Sequence, residues 1–261
     1  AETIGLKTGE FLMNSLTNSL DLVAARSSGA TKIYGSGETE VRALDGIDVS
    51  FPKGIFSAIM GPSGSGKSTL MHCMAGLDDL TTGKVFIGDT DLTELNEREL
   101  TLLRRSQIGF IFQAYNLVPT LNAIENITLP LDLAGLKADE EWVDEIVEVV
   151  NLKDRLTHKP SELSGGQQQR VAVSRALASK PEIIFADEPT GNLDSKTGTE
   201  ILEFMQLATK ELEQTIVMVT HDPVAASFSD QVIFLADGQV VGDLEDPTAD
   251  GVLDQMRSIG N

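Results

Sequence analysis

The residues with the clearest chemical potential lie in the glycine- and serine-rich stretch GPSGSGKST, at positions 61–69. Its spacing, G-x-x-x-x-G-K-[S/T], is that of a loop that cradles phosphate. The glycines allow successive backbone N–H groups to face one anion, and a helix that begins there adds partial positive charge. Lys67 can reach the β- and γ-phosphates of a nucleotide, and the Ser68 hydroxyl can ligate Mg²⁺. The predicted phosphate contacts are Gly61, Ser63, Gly64, Ser65, Gly66, Lys67, Ser68 and Thr69.

Two acids follow a short apolar run in IIFADEP, at positions 183–189. A phosphate-loop protein needs an acid at the end of a neighbouring buried strand, and Asp187 is placed to hold Mg²⁺, often through water. Glu188 comes next, where it can polarise or deprotonate an attacking water. Acids after strands are common, so this pair alone is a weak indication of a nucleotide site. Together with the phosphate loop it is a strong one.

The elements that must position these groups follow from hydrophobic spacing. Residues 55–61 predict a buried strand before the loop, and residues 67–77 predict a helix after it. Beyond residue 181, strands alternate with helices, which predicts a parallel sheet, while residues 32–51 predict an antiparallel sheet. Residues 119–162 predict only helices, one of them with Trp142, Ile146, Val149 and Val150 on an apolar stripe. We therefore expect an α/β fold with a helical lobe.

Composition excludes several classes of protein. The chain has 261 residues and a formal net charge of -20, which argues against general nucleic-acid binding. No apolar run approaches the ~20 residues of a bilayer span. The single cysteine, Cys73, fits a reduced cytosolic setting and makes neither an internal disulfide nor a metal cluster. His72 and Cys73 are expected to pack in or near the core, and His158 is expected to be structural.

The segment LSGGQQQR, residues 163–170 and called the signature segment below, resembles the signature sequence of ABC-type ATPases. Other motifs of that family follow in the same order, and the resemblance spans residues 31–243. It implies a P-loop ATPase with a RecA-like parallel-sheet core, an N-terminal antiparallel β subdomain and an inserted α-helical lobe. The matching positions are Tyr34 for adenine stacking, Gln113 for the Q-loop, Asp194 for the D-loop and His221 for the switch histidine.

The resemblance also implies the ligands and assembly. ATP and Mg²⁺ are the expected cofactors, with Ser68, Gln113 and Asp187 at the cation and Glu188 and His221 as the catalytic pair. Two copies are expected to pair head-to-tail on ATP binding, so that the signature segment of one closes over the other's ATP. Ser164, Gly165, Gly166 and Gln167 would lie there, at a helix expected to begin after the glycines, where any side chain on them would hold the backbone away.

Longer strings, such as residues 112–131 and 158–177, resemble the macrolide-exporter and lipoprotein-release group. This implies a motor subunit on the cytoplasmic face of the membrane, working with two integral membrane permease subunits. Two alternatives stay open: a cell-division ATPase that regulates cell-wall hydrolysis, and a soluble ABC ATPase. The single cassette, the acidic balance and the lack of a heptad insertion disfavour the soluble type.

The expected domain organisation has four parts. Residues 1–12 read as vector-derived, because Met13 looks like a natural start, and 13–30 form an N-terminal extension. Residues 31–245 form the nucleotide-binding domain, with the helical lobe at about 114–170, and 246–261 form a C-terminal tail. Residues 114–135 are expected to contact a cytoplasmic helix of the membrane partner, through exposed apolar residues such as Leu117 and Leu121.

Overall fold

The computed structural model describes residues 22–259. Ten strands are present there: β1 Val23–Tyr34, β2 Val41–Pro52, β3 Phe56–Met60, β4 Thr82–Ile87, β5 Thr90–Asp91, β6 Ile108–Phe112, β7 Ile183–Asp187, β8 Ile216–Val219, β9 Gln231–Ala236 and β10 Gln239–Glu245. Eight α-helices accompany them: α1 Lys67–Met74, α2 Glu97–Gln107, α3 Ala123–Ala134, α4 Glu140–Val149, α5 Gly165–Leu177, α6 Ser195–Leu212, α7 Pro223–Ala226 and α8 Ala249–Ile259. Four 3₁₀ turns complete the order: Gly37–Thr39, Leu92–Glu94, Lys153–Arg155 and Pro160–Glu162.

The strands form two sheets. The six-stranded sheet has the order β10-β9-β3-β8-β7-β6, and all its neighbours from β9 to β6 are parallel, while β10 is antiparallel to β9. The four-stranded sheet, β2-β1-β4-β5, is antiparallel throughout. The predicted fold class, a parallel core with an antiparallel β subdomain and inserted helices, is confirmed.

The core lies on both faces of the parallel sheet, which explains the continuous apolar runs in its strands. All five residues of β3 are buried, and successive side chains point to opposite faces. Phe56 and Met60 join the cluster that contains the packed helices, whereas Ile59 joins the cluster that links this sheet to the antiparallel one and to α1. The loop that follows β3 is thus held by a strand fixed from both sides.

Two helices between residues 119 and 162 were predicted and are present. Asn122 caps α3 in a capping box with Glu125, and Gly135 ends it in the left-handed conformation. Asp139 caps α4. The α3 helix packs against α5, so the inserted lobe is joined to the helix that carries the signature segment.

The apolar stripe predicted on α4 is partly wrong. The buried residues are Val143, Ile146 and Val147, while Val149 is exposed. Trp142 is partly buried, and its indole N–H donates to the carbonyl oxygen of Leu177 at 3.0 Å, while Val150 is buried as predicted. The buried face is therefore rotated toward α5 relative to the predicted stripe.

The ends of the described chain also differ from expectation. The antiparallel sheet begins at Val23, inside the stretch predicted as an extension, because β1 pairs with β2 and β4 along its length. The stretch predicted as a tail contains α8, which packs on the core through Val252. The proposals for residues 1–12, and for the extension before residue 22, lie outside the described residues.

Candidate active site

The phosphate loop, residues 61–69, connects β3 to α1, as the sequence predicts. Gly61 has a φ of 154°, and a Cβ on it would lie 2.0 Å from the carbonyl oxygen of Leu235. Gly66 has a φ of 99°, and its Cβ would lie 2.4 Å from the carbonyl oxygen of Ala43. Both obstacles are backbone atoms, which cannot rotate away, so the loop path requires glycine at these two positions.

Lys67 spans the loop that precedes it. Its ammonium group donates to the carbonyl oxygens of Gly61 and Pro62, at 2.9 Å each. Partial burial lowers the pKa of Lys67, while the charges of Glu188 and Asp187 act in the opposite direction. The loop, the lysine and the two acids therefore belong to one electrostatic neighbourhood.

The loop also contains hydrogen-bond donors that could bind a phosphate group. Ser65 is buried, yet its hydroxyl makes no hydrogen bond within residues 22–259. In the same described part of the chain, no side chain caps α1, whose N-cap position is Gly66 in the left-handed conformation. A buried hydroxyl and the first N–H groups of a helix need partners, and phosphate oxygens fit them.

Asp187 and Glu188 lie at the end of β7, between β6 and β8. Burial raises the pKa of the Asp187 carboxyl. The neighbouring Glu188 charge raises it further, while His72 and Lys67 lower it. A partly buried carboxylate beside a second one is stabilised in its charged form by any added cation.

Glu188 is held in a specific conformation. Its φ is 47°, in the left-handed region, and its N–H donates to the carbonyl oxygen of Val219 at 2.9 Å. One carboxylate oxygen accepts from the Thr220 hydroxyl at 3.4 Å, and the other lies 2.8 Å from Nδ1 of His221. The His221 side chain is 78% exposed, against 21% for Glu188. A shielded carboxylate with an exposed imidazole beside it can take a proton from water.

Tyr34 is the last residue of β1, and 42% of its surface is exposed. Its hydroxyl donates to Asp78 at 2.6 Å, and Lys32 donates to the other oxygen of Asp78, also at 2.6 Å. The Lys32 ammonium lies 4.9 Å from the ring centroid. The ring is thus fixed in place with an accessible surface, which is what stacking on a base requires. Lys32 and Asp78 were not among the predicted site residues, because no local pattern marks two residues that lie 46 positions apart in the sequence.

The signature segment caps its own helix. Ser164 is the N-cap of α5, and its hydroxyl accepts from the Gln167 N–H at 3.3 Å. The Gln167 side-chain oxygen accepts from the Ser164 N–H at 2.9 Å, which completes a capping box. The prediction that this helix begins after the glycines is wrong, since Gly165 and Gly166 form its first turn. Gln167 therefore has a capping role that the sequence analysis did not anticipate.

The other two glutamines make contacts inside the chain. Gln168 donates to the carbonyl oxygen of Leu163 at 3.1 Å. Gln169 is fully buried and donates to the carbonyl oxygen of Pro189 at 2.6 Å, while its own side-chain oxygen has no partner among residues 22–259. This bond joins the signature helix to the residue that follows Glu188.

Packing within the chain excludes a side chain at Gly166 and leaves little room for one at Gly165. A Cβ on Gly166 would lie 2.3 Å from Cγ2 of Thr197, and one on Gly165 would lie 3.0 Å from the Tyr115 hydroxyl. Both obstacles are side-chain atoms of neighbouring segments. Close approach of a nucleotide, the predicted reason for these glycines, is therefore not needed to explain Gly166.

Gln113 begins the loop that follows β6, and Asp194 ends the loop that follows β7. Gln113 follows β6, is exposed, and donates through its amide nitrogen to the Asn192 side-chain oxygen at 3.3 Å. Asp194 is the N-cap of α6, and hydrogen bonds from the Thr197 hydroxyl and N–H lower the pKa of its carboxyl. Asn192 was not among the predicted site residues, although it lies within the predicted D-loop.

The described residues thus form two groups. The phosphate loop, Asp187, Glu188 and His221 lie where the parallel strands β3, β7 and β8 end at their carboxyl edge. The signature residues 164–167 make no hydrogen bond to residues 61–69 within the described part of the chain. The first group can bind and activate the phosphate chain of a nucleotide, whereas the second forms a separate helix N-terminus.

This fold and site define a P-loop nucleotide-binding cassette with an inserted helical lobe. Residues 44–191 match the family described as ABC transporter. The chain belongs to that family, as the sequence motifs predict.

Relatives and solved structures agree. The chain is 44% identical over 211 residues to the lipoprotein-releasing system ATP-binding protein LolD of Legionella pneumophila, over 80% of this chain and 93% of that protein. It is 45% identical over 211 residues to the bacitracin export ATP-binding protein BceA of Halalkalibacterium halodurans, over 80% and 83%. A dimeric post-hydrolysis structure of the cassette MJ0796 of Methanocaldococcus jannaschii, bound to ADP and phosphate, matches with a TM-score of 0.75 and 42% identity, over 86% of this chain and 99% of that one.

The chain is therefore an ATP-binding and ATP-hydrolysing subunit of an ABC transporter, which confirms the predicted family and activity. Within residues 22–259, no helix combines the length and apolar character needed to cross a membrane.

Proposed function

We propose that this subunit hydrolyses Mg²⁺-ATP at two sites formed between two copies of the chain, and that it drives a membrane transporter of the macrolide-exporter and lipoprotein-release type. The observation that carries the proposal is the proximity of Lys67, Asp187 and Glu188 at the edge of the parallel sheet, where the charge of Glu188 acts to raise the pKa of both Lys67 and Asp187, against burial at the first and together with burial at the second. The names of the relatives, a lipoprotein-releasing system and a bacitracin exporter, support the transporter type.

The residues proposed for the cation fit a hard ion. Ser68, Gln113 and Asp187 offer a hydroxyl, an amide and a carboxylate oxygen, and Mg²⁺ prefers such oxygen ligands together with phosphate oxygens. Within residues 22–259, no group of three or more His, Cys, Asp or Glu could hold a metal by itself. When bound, Mg²⁺ supplies positive charge at the β- and γ-phosphates.

The remaining roles belong to the chain's own side chains. Lys67 neutralises charge on the transferred phosphoryl group, and the phosphate-loop N–H groups orient it. Glu188 accepts the proton of the attacking water, and His221 beside it contacts the γ-phosphate. The exposed ring of Tyr34 stacks on adenine.

Each site is completed by a second copy. Ser164, Gly165 and Gly166 face the partner copy's γ-phosphate from the N-terminus of α5, and Asp194 lies at the same interface. Two features support this: the signature residues are separate from the phosphate loop of their own chain, and the related MJ0796 cassette forms a dimer with ADP and phosphate.

A complementation experiment tests the shared site. Lys67→Ala and Ser164→Arg, each alone, leave no intact site in a homodimer. A mixed dimer has one intact site, with the phosphate loop from the Ser164→Arg copy and the signature segment from the Lys67→Ala copy. We expect ATPase activity to appear on mixing, and continued inactivity with intact ATP binding would contradict the composite site.

The membrane partner is proposed to dock in a cleft of about 400 Å³ between α2, β6, α3 and α5. Its lining includes Phe110, Phe112 and Leu133, and the Leu133 side chain lies exposed at its edge. Leu117, predicted as an exposed contact, is instead partly buried against the core. We infer that the occupant is an amphipathic cytoplasmic helix of a permease subunit, one for each copy of the ATPase.

Three arginines give this cleft a charge opposite to that of the whole chain. Arg104, Arg105 and Arg175 line it, although the chain's formal net charge is -20. Arg175 donates to the main-chain carbonyl oxygens of Asn116 at 2.7 Å and Tyr115 at 2.9 Å. Both acceptors are neutral, so they do not cancel the positive charge of Arg175. An acidic side chain on the docking helix would complement this surface.

This docking would hold the subunit at the cytoplasmic face of the membrane. The test is co-purification with the membrane protein encoded by a neighbouring reading frame. Leu133→Asp should weaken the complex, whereas Leu207→Asp, at an exposed position outside the cleft, should not. Equal recovery of the partner with both variants would contradict the proposed docking site.

A further inference from the structure

We infer that Asn192 is a positioning residue that fixes the orientation of the Gln113 side-chain amide, so that its oxygen rather than its nitrogen is left for the cation. This inference rests on the proposed Mg²⁺-ligating role of Gln113. Asn192 acts only through Gln113 and is not assigned a contact with the nucleotide.

Two hydrogen bonds join these residues in a ring. The Asn192 side-chain nitrogen donates to the main-chain carbonyl oxygen of Gln113 at 2.8 Å. The Gln113 side-chain nitrogen donates to the Asn192 side-chain oxygen at 3.3 Å. Both residues are exposed, and 79 positions separate them in the sequence, so the pair joins two loops rather than filling the core.

The chemistry of the first bond determines the second. A carbonyl oxygen can only accept, so the Asn192 atom that faces the Gln113 carbonyl must be its nitrogen. The Asn192 side-chain oxygen then faces the Gln113 side chain. Because this oxygen can only accept, the Gln113 atom that donates to it must be the side-chain nitrogen. The Gln113 side-chain oxygen remains, and it makes no hydrogen bond within residues 22–259.

The orientation matters because only one of the two amide atoms can ligate a cation. An amide oxygen is a ligand for Mg²⁺, whereas the NH₂ group carries two donor hydrogens and repels a cation. A free glutamine amide rotates between the two arrangements. Side chains around a metal site commonly fix such orientations through hydrogen bonds, and their loss weakens metal affinity by about 10-fold or more.

The backbone that carries Asn192 is shaped for this contact. A turn in which the Gly191 N–H donates to the carbonyl oxygen of Glu188 at 3.0 Å follows directly after the catalytic acid. A Cβ on Gly191 would lie 2.7 Å from the Gln113 side-chain nitrogen. Glycine at this position therefore leaves the space that the Gln113 amide occupies beside Asn192.

The test measures cation dependence of nucleotide binding rather than turnover. In a Glu188→Gln background, which slows hydrolysis, the affinity for a fluorescent ATP analogue is followed while Mg²⁺ is titrated. Asn192→Leu removes both hydrogen bonds at similar side-chain size. We expect its half-saturating Mg²⁺ concentration to rise about 10-fold, while affinity in EDTA, without a divalent cation, stays at the parental value.

Gln113→Ala in the same background separates this inference from the proposed function. If Gln113→Ala shifts the Mg²⁺ dependence and Asn192→Leu does not, the inference is overturned and the ligand role of Gln113 stands. If Gln113→Ala produces no shift, the ligand role and the inference both fail. The double variant should match Gln113→Ala alone, because Asn192 has nothing left to orient, and a larger shift in the double variant would place the role of Asn192 elsewhere.

A matched control addresses general effects on the fold. Gln206 on α6 donates through its side-chain nitrogen to the carbonyl oxygen of Phe228 at 2.9 Å, outside the site. Gln206→Ala should lower the thermal midpoint at least as much as Asn192→Leu and leave the Mg²⁺ dependence unchanged. A shift of the same size in this control would overturn the assignment to Asn192.

Discussion

Two helices of this chain begin at glycines next to the proposed nucleotide sites, and they differ in what occupies their first turn. In the described chain no side chain caps α1, which leaves its N–H groups to an anion. Ser164 and Gln167 cap α5 reciprocally, so the N–H groups of these two residues already have partners. The Ser164 hydroxyl accepts in this box, but its hydrogen is still available for donation to a phosphate oxygen. Both helices therefore offer backbone N–H groups in their first turn, and α5 adds a serine hydroxyl that is already oriented.

The glycines at these two ends also differ. Gly61 and Gly66 have positive φ values, and the atoms that exclude a Cβ are main-chain carbonyl oxygens. Gly166 is helical, and the atom that excludes a Cβ is a methyl group of Thr197. Similar glycine-rich sequences therefore meet different physical demands. At Gly61 and Gly66 the backbone conformation requires glycine, whereas at Gly166 close packing against Thr197 requires it.

The largest effect is expected from Lys67→Ala, which removes the charge at the phosphate-loop end only. ATP hydrolysis should fall by about 10²-fold or more, because that charge stabilises the transferred phosphoryl group, and ATP binding should weaken. Steady-state ATPase assays and nucleotide titration measure both. Lys180→Ala removes an exposed lysine on another surface and is the control. Wild-type turnover in Lys67→Ala would remove the phosphate-loop assignment.

Glu188→Gln should slow hydrolysis by about 10²-fold while retaining ATP binding, because the amide cannot accept the proton of water. Both helix ends would then stay closed on the nucleotide, and sedimentation should show an ATP-dependent dimer. Asp187→Asn should instead weaken cation-dependent binding. If the two variants fail identically at the binding step, the separate roles of these acids are wrong.

A pair of alanine substitutions tests the two kinds of glycine. Gly61→Ala and Gly166→Ala should each destabilise the fold, by about 1–3 kcal/mol for overpacking at the second site. Thr197→Ser removes the obstructing methyl group and keeps the hydroxyl, so it should restore most of the stability lost in Gly166→Ala. Denaturant unfolding of the single and double variants measures this. Lack of rescue would show that the packing explanation for Gly166 is incorrect.

The smallest effects concern the capping box. Ser164→Ala should cost about 1 kcal/mol in the free energy of unfolding, because it removes an N-cap acceptor. Gln167→Ala should cost less and should leave ATP-dependent dimerisation intact, since the Gln167 side-chain oxygen is occupied by the Ser164 N–H of its own chain. Chemical denaturation and sedimentation of both variants would separate these roles. A Gln167→Ala chain that no longer dimerises with ATP would place Gln167 at the nucleotide after all.

What the sequence predicts well is local or periodic. The phosphate loop, Asp187 and Glu188 follow buried strands, and the alternation of strands and helices predicts the parallel sheet. The rest depends on contacts between segments that are distant in sequence. The Asp78 contacts that fix Tyr34, the pairing of Gln113 with Asn192, and the approach of Thr197 to Gly166 leave no local pattern. The face of α4 was misplaced for the same reason, since its burial is determined by the neighbouring α5.

One helix carries both the signature glycines and Arg175, and this has a mechanical consequence. The eleven positions from Ser164 to Arg175 span about 16 Å of helix. If a helix of that length stays rigid, a tilt of about 5° at one end displaces the other end by about 1.4 Å. Arg175 donates hydrogen bonds to the main-chain carbonyl oxygens of Tyr115 and Asn116. Such a tilt would therefore also move the edge of the docking cleft. In the proposed composite site, nucleotide contact at the first turn of α5 would thereby displace the surface proposed for the permease.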